Sequence, residues 1–195
     1  MIFGPKIIEN FFNTDQVNFL KSLQASQEQD NFLEPFNGRI SKGIDINSLR
    51  EDILEVIFDS LKNITDTEFV PTDWGFTRYE NKYGKPILHP HVDGNKTEII
   101  VDYQLETNID WPIYIGGDKY CLKDNNAAIF SGSEIPHWRP NIEFKDGDFV
   151  TMIFFHFVTR SFFEKNEEEQ SNLILKRLEK KEEIFNKYEE KWKNS

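Results

Sequence analysis

Between Pro71 and Val158 the chain breaks into eight short apolar runs that alternate with Gly, Asn, Asp and Pro. They read WGFTRYE, PILHPHVD, TEIIVDYQLE, WPIYIG, KYCLKD, NAAIFSG, HWRP and FVTMIFFHFV. Short runs rich in Ile, Val, Tyr and Phe, closely spaced and separated by turn formers, are the pattern of a β-sandwich or barrel. Two connectors are explicit: GGD at 116 to 118 predicts a hairpin turn and KDNN at 123 to 126 a polar turn.

Helices flank this core. NTDQVNFLKSLQ offers Asn13 or Thr14 as N-cap, followed by Val17, Leu20 and Leu23 at helical spacing. NSLREDILEVIFDSLKNI predicts a second helix, capped by Asn47 or Ser48, with Leu49, Ile53, Val56, Ile57 and Leu61 on one face. Between them NFLEPFNGRISKG reads as a loop or as short strands. The tail beyond Phe162 predicts a charged amphipathic helix. Its stripe of Ile174, Leu178, Phe185, Tyr188 and Trp192 must cover either its own barrel or a second subunit in a homodimer. The Glu167–Glu169 run within it is a solvated face. The fold class is α+β, mainly β. One domain spans 1–160, with a helical part at 1–65 and a β core at 71–158, and a C-terminal helix spans 161–195.

Composition narrows the partners. The net charge is −11, and the Glu/Lys-rich tail contributes almost none of it, so the body is strongly acidic. That argues against a nucleic-acid or anionic-membrane footprint, which shows as a basic surface. No stretch reaches the roughly 18 apolar residues of a membrane span. A single cysteine, Cys121, forbids an internal disulfide and is expected as a small buried side chain. MIFGPKIIENFF lacks the pattern of a signal peptide, so a cytoplasmic location is expected.

The chemistry concentrates in LHPHVDGNK, residues 88 to 96, which holds two of the chain's four histidines. In a strand, residues two apart share a face, so His89, His91 and Asp93 are expected to line up. His137, 44 residues beyond Asp93, is the third candidate ligand, since a rolled sheet returns a late strand beside an early one. Two imidazoles and one carboxylate on one side of a cation leave positions open, the arrangement suited to non-haem Fe(II) and oxygen. A closed structural zinc site is usually richer in Cys. His89 is then a neighbour facing substrate, Trp138 lines the same pocket, Trp74 packs, and His156 is a core or rim histidine.

HVD at 91 to 93, the preceding RYENKYGKPILHP, and GSEIPHWRP followed by MIFFHFV together resemble the 2-oxoglutarate- and Fe(II)-dependent oxygenases. The likeness is sharpest to the prolyl-4-hydroxylase-like branch and to small bacterial and phage members, and covers residues 74 to 158. It implies a double-stranded β-helix (a jelly-roll or cupin-like barrel), Fe(II) held by His91, Asp93 and His137, and O₂ and 2-oxoglutarate as cosubstrates. The reaction it implies is hydroxylation of a C–H bond with release of succinate and CO₂. Tyr79 matches the tyrosine that helps hold 2-oxoglutarate, and Tyr103 is a further match. One departure stands out: the positions nine and ten residues beyond His137, where the family carries a cation, hold Asp146 and Gly147, and the last strand offers Asp148. The far carboxylate is therefore assigned to Arg139, on the same strand face as His137, with Arg78 and Lys145 as alternatives. A peptide, an amino acid or another small molecule is the expected substrate. A cupin-like metal dioxygenase or isomerase without 2-oxoglutarate, and a non-catalytic binding barrel, are the rival readings.

Overall fold

The computed structural model describes residues 3–27, 35–94 and 96–194. Its strands are β1 (Lys6–Ile8), β2 (Arg39–Gly43), β3 (Phe69–Glu80), β4 (Leu88–His91), β5 (Ile99–Thr107), β6 (Ile113–Ile115), β7 (Asp118–Tyr120), β8 (Asn126–Phe130), β9 (His137–Arg139) and β10 (Phe149–Thr159). Its helices are α1 (Thr14–Gln27), α2 (Glu51–Lys62), α3 (Arg160–Phe163) and α4 (Glu167–Lys193), with two single 3₁₀ turns at Ile46–Ser48 and Asn81–Tyr83. The eight anticipated runs are β3 to β10. The first 65 residues are less helical than expected, because β1 and β2 join the sheet. The first part of NFLEPFNGRISKG, residues 31–34, lies outside the described residues, and its end forms β2.

All strand pairs are antiparallel, in a six-stranded sheet ordered β1-β8-β5-β10-β3-β2 and a four-stranded sheet ordered β4-β9-β6-β7. The outer face of the large sheet carries Trp74, Phe76, Val101, Tyr103, Leu105, Ile153, Phe155 and Phe157 against Leu20 of α1 and Ile53, Ile57 and Leu61 of α2. Full burial of each such side chain contributes about 1.5–3 kcal/mol. The inner face packs Ile100, Ala128, Phe130, Val150 and Met152 against Ile113 and Ile115 of the small sheet.

Local chemistry sets the ends. Asn13 caps α1: its Oδ1 accepts from the Gln16 N–H and its own N–H donates to Gln16 Oε1, both 3.0 Å. α2 starts three residues later than anticipated, at Glu51. Asn47 and Ser48 sit instead in a 3₁₀ turn capped by Asp45. The β6–β7 hairpin turns on Gly116 and Gly117, whose φ angles of 64° and 100° suit a two-residue loop that side chains resist. Cys121 is exposed, contrary to expectation, because it follows β7 in a short connection.

The C-terminal helix covers its own barrel. α4 lies across β4 and β9, with His89 against Phe185 and Trp192 (ring centroids 5.7 and 4.4 Å) and Trp138 against Tyr188 (5.3 Å). Trp192 Nε1 donates to the Arg139 carbonyl oxygen at 2.9 Å. The stripe, anticipated to cover either its own barrel or a partner, is used largely within the chain, while Leu175 and Leu178 stay exposed. Asn166 and Glu169 form a capping box at its start, so the Glu run is a helix N-terminus. No helix among the described residues is long and apolar enough to cross a membrane.

Candidate metal centre

His91, Asp93 and His137 converge. One ligand atom from each lies within 4.8 Å of the others. Asp93 Oδ1 is 3.8 Å from His91 Nε2 and 3.5 Å from His137 Nε2, and the two rings are 4.2 Å apart between centroids. The β4–β9 register creates this by setting His91 directly opposite His137.

Each imidazole is oriented from behind. His91 Nδ1 is 2.7 Å from the His89 carbonyl oxygen and His137 Nδ1 is 3.1 Å from that of Ile135. A carbonyl oxygen only accepts, so each Nδ1 carries a proton and donates there, which leaves Nε2 directed at Asp93. Asp93 lies just past β4, where its N–H donates to the Gly132 carbonyl oxygen at 2.9 Å. Any Cβ at Gly132 would collide with Asp93 Oδ2, so the close approach demands glycine there.

The electrostatics fit a cation. Burial, reinforced by the neighbouring His137, pushes His91 down to about 3, which keeps it neutral. Burial also opposes ionisation of Asp93, yet the facing His137, His156 and His91 outweigh it and hold the carboxyl below its usual range. Burial works against protonation of His137 too, but Asp93 raises it. Asp93 Oδ2 is buried with no hydrogen-bond partner. Two neutral-capable imidazoles and an under-satisfied carboxylate are what a divalent cation would complete.

The three side chains open on a cavity of about 340 Å³ between the sheets. Its wall includes Arg39, Ser41, Trp74, Thr77, Tyr79, Leu88, Ile100, Asp102, Phe154 and His156. Burial pushes Asp102 up to about 6 against the pull of Arg139 and His137. Burial lowers His156, against Asp93 and Asp73. A second cleft of about 320 Å³, lined by Glu98, Ser131, Ser133 and Arg177, contains no imidazole and lies apart from these ligands.

Several anticipated site residues are placed elsewhere. His89 does not share a face with His91. β4 takes three steps from Leu88 to His91 where β9 takes two from Arg139 to His137, a bulge that puts Leu88 on the cavity and turns His89 under α4. Trp138 is fully buried, stacked on Tyr114 at 5.2 Å and facing α4, because it alternates with His137. Tyr103 alternates with cavity-lining Asp102, so it faces α1's side, packs on Phe11 and Phe12, and donates from its hydroxyl to Asn125 Oδ1 at 3.1 Å.

Tyr79 does line the cavity. Arg139 does not. It is 2% exposed, its Nη1 donates to the Trp111 carbonyl oxygen, and its guanidinium lies 5.0 Å from the Trp111 ring centroid. Arg78 pairs with Glu80 and Glu106 on the other face of the sheet, and Lys145 is exposed in a turn closed by Asp148. The cation that does reach the wall, Arg39, lies in the stretch that reads as a loop or as short strands. Asp102 and His156 sit at alternating positions of strands whose inward face the pattern alone left open.

No family model matches the chain, and no curated protein matches it. Solved structures do. HygX from Streptomyces hygroscopicus, crystallised with nickel and 2-oxoglutarate, matches at 8% identity and a TM-score of 0.59 over 79% of this chain and 82% of that one. A Pseudomonas putida prolyl-4-hydroxylase matches at 16% identity and a TM-score of 0.60 over 80% and 93%. The viral collagen prolyl hydroxylase of Paramecium Bursaria Chlorella virus-1, in its 2-oxoglutarate complex, matches at 8% identity and a TM-score of 0.57 over 80% and 96%. The chain therefore has the fold of these 2-oxoglutarate-dependent oxygenases.

Proposed function

We propose that the chain is an Fe(II)- and 2-oxoglutarate-dependent dioxygenase that hydroxylates a C–H bond and releases succinate and CO₂. The observation that carries this reading is the convergence of His91, Asp93 and His137 on the wall of an internal cavity. Ligands grouped on one side leave the cavity side of a cation open to small molecules. We read the two facing antiparallel sheets as a double-stranded β-helix.

Iron and 2-oxoglutarate, once held by His91, Asp93 and His137, would supply the oxidising chemistry. The chain's own residues bind, orient and exclude water. The Nδ1–H bonds to the His89 and Ile135 carbonyl oxygens stop the ligand rings from turning. Gly132 fixes Asp93. Leu88, Ile100 and Phe154 give the cavity apolar walls, which strengthens electrostatic contacts inside it. We assign Tyr79 to the cosubstrate, a reading supported by its place on the cavity wall, which Arg139 and Tyr103 do not line. His156, on the same wall, is placed to meet the substrate. HygX has also been crystallised with hygromycin B and another neighbour with a peptide fragment, so an amino-acyl group or a small molecule is the substrate class we assign.

The test is anaerobic. Fe(II) followed by 2-oxoglutarate should produce the metal-to-ligand charge-transfer absorption of the chelate, and Asp93→Ala should lose it. A metal oxygenase that dispenses with 2-oxoglutarate is the second reading, favoured by the burial of Arg139 away from the cavity. Bound iron with no such absorption would select it.

A further inference from the structure

Six arginines stand in the chain, and five have an oxygen partner stronger than a phenol. Arg50, Arg78, Arg160 and Arg177 pair with carboxylates, and Arg139 donates to a backbone carbonyl oxygen. Arg39 meets neither among the described residues. The β2–β3 register sets it opposite Tyr79, and its Nη1 donates to the Tyr79 hydroxyl oxygen at 3.0 Å. Its guanidinium carbon is 5.7 Å from that ring's centroid. In a chain of net charge −11, a half-buried guanidinium on the cavity wall with no ion pair among the described residues is a cation without a direct acid partner.

The Tyr79 hydroxyl is spent only as an acceptor in this bond, so its own proton is left to give. Tyr79 is 1% exposed and lines the same cavity, so that proton can reach only a group inside it. A guanidinium with N–H groups to spare and a buried phenol O–H together make an acceptor-seeking pair. A carboxylate satisfies both, with the planar geometry a guanidinium prefers. The acids on the same wall, Asp73, Asp93 and Asp102, form no ion pair with Arg39 among the described residues, and Asp102 is coupled to Arg139 and His137.

We propose that Arg39, with the Tyr79 hydroxyl, is the carboxylate-recognition pole of the metal cavity. The pole would take either the far carboxylate of a 2-oxo diacid or a carboxylate of the substrate. The first case rests on the dioxygenase reading above, and the second does not require 2-oxoglutarate.

The experiment uses the full chain loaded with Ni(II), with binding followed by calorimetry. One arm compares 2-oxoglutarate with 2-oxobutyrate, which keeps the 2-oxo acid head and lacks the far carboxylate. The wild type should prefer 2-oxoglutarate by at least about tenfold. Arg39→Leu should erase that preference by weakening 2-oxoglutarate alone, Arg39→Lys should retain part of it, and Ni(II) affinity should not move. The second arm screens amino and hydroxy acids against their amides. An acid-over-amide preference lost in Arg39→Leu assigns the pole to the substrate. If both preferences survive Arg39→Leu in a folded protein, the proposal is overturned. The same holds if only Arg139→Leu removes them. A wild type that binds Ni(II) but no 2-oxoglutarate rejects the dioxygenase reading by itself, and Arg39 is then decided by the acid-versus-amide arm.

Discussion

The two sheets of this molecule divide the labour unequally. The six-stranded sheet contains strands of 12 and 11 residues, β3 and β10, and is covered on both faces by apolar clusters. The four-stranded sheet is made of strands of three or four residues, yet it supplies the candidate ligands: His91 in β4, His137 in β9 and Asp93 just beyond β4. Strands that short form few ladder bonds. What steadies them is the layer behind: His89 and Trp138 point outward from the ligand-bearing strands into α4, and Trp192 bonds the backbone of Arg139. Rigidity comes from the large sheet and the helix, and the chemistry sits on the thin sheet between them, open to the cavity on one side.

That division should separate metal affinity from stability. The largest effect is expected at the ligands. Asp93→Ala and His137→Ala should weaken metal binding by more than about 100-fold, beyond what loss of a supporting hydrogen bond costs. They should also abolish turnover while leaving the metal-free fold intact. Because the facing histidines favour the Asp93 carboxylate, its removal should lower the metal-free melting temperature only modestly. A large drop there would make these residues structural and dissolve the division.

Phe155→Ala, in the large sheet, should do the reverse. It should cost about 3–5 kcal/mol in denaturant unfolding with metal affinity of the folded protein unchanged.

Asp102 is where the inner face of the large sheet departs from apolar packing. Its folded pKa, about 6, lies above the ordinary 3.8, so the fold favours the protonated form. The carboxyl therefore imposes no penalty at pH 3, and the penalty grows as pH rises from about 4 to about 6 and then stays. Asp102→Asn should stabilise the protein at pH 7 by about 2–3 kcal/mol and lose that advantage by pH 4. An equal difference in melting temperature at both pH values would refute it.

The smallest effect sharpens the contact between the sheets. Gly132→Ala should push Asp93 aside and weaken the metal about tenfold, roughly 1.4 kcal/mol. Chelator competition would read this, and an unchanged affinity would show that Gly132 does not position the ligand.

Much of this was legible along the chain. The eight runs became β3 to β10 because strand length, alternation and turn chemistry are local properties. Gly116 and Gly117 announced their hairpin for the same reason. His91 and Asp93 were readable because two candidate ligands are neighbours in sequence, and His137 because few histidines compete with it. Strand parity also separated the faces of β5, but not which face met the cavity. Tyr103 went to the helix side for that reason, and Asp102 to the inside.

The amino-acid sequence by itself determined the β-rich core, the helices around it and the three candidate ligands. Only the tertiary structure decided that a bulge in β4 turns His89 away from the metal side, that Arg139 is sealed beneath Trp111, and that Arg39 reaches the cavity from an added edge strand. The reason is physical: a pattern of apolar and polar residues specifies which segments become strands, whereas register, bulges and the choice of inward face are fixed by partners such as β9 and β3, which lie between 32 and 51 residues away along the chain.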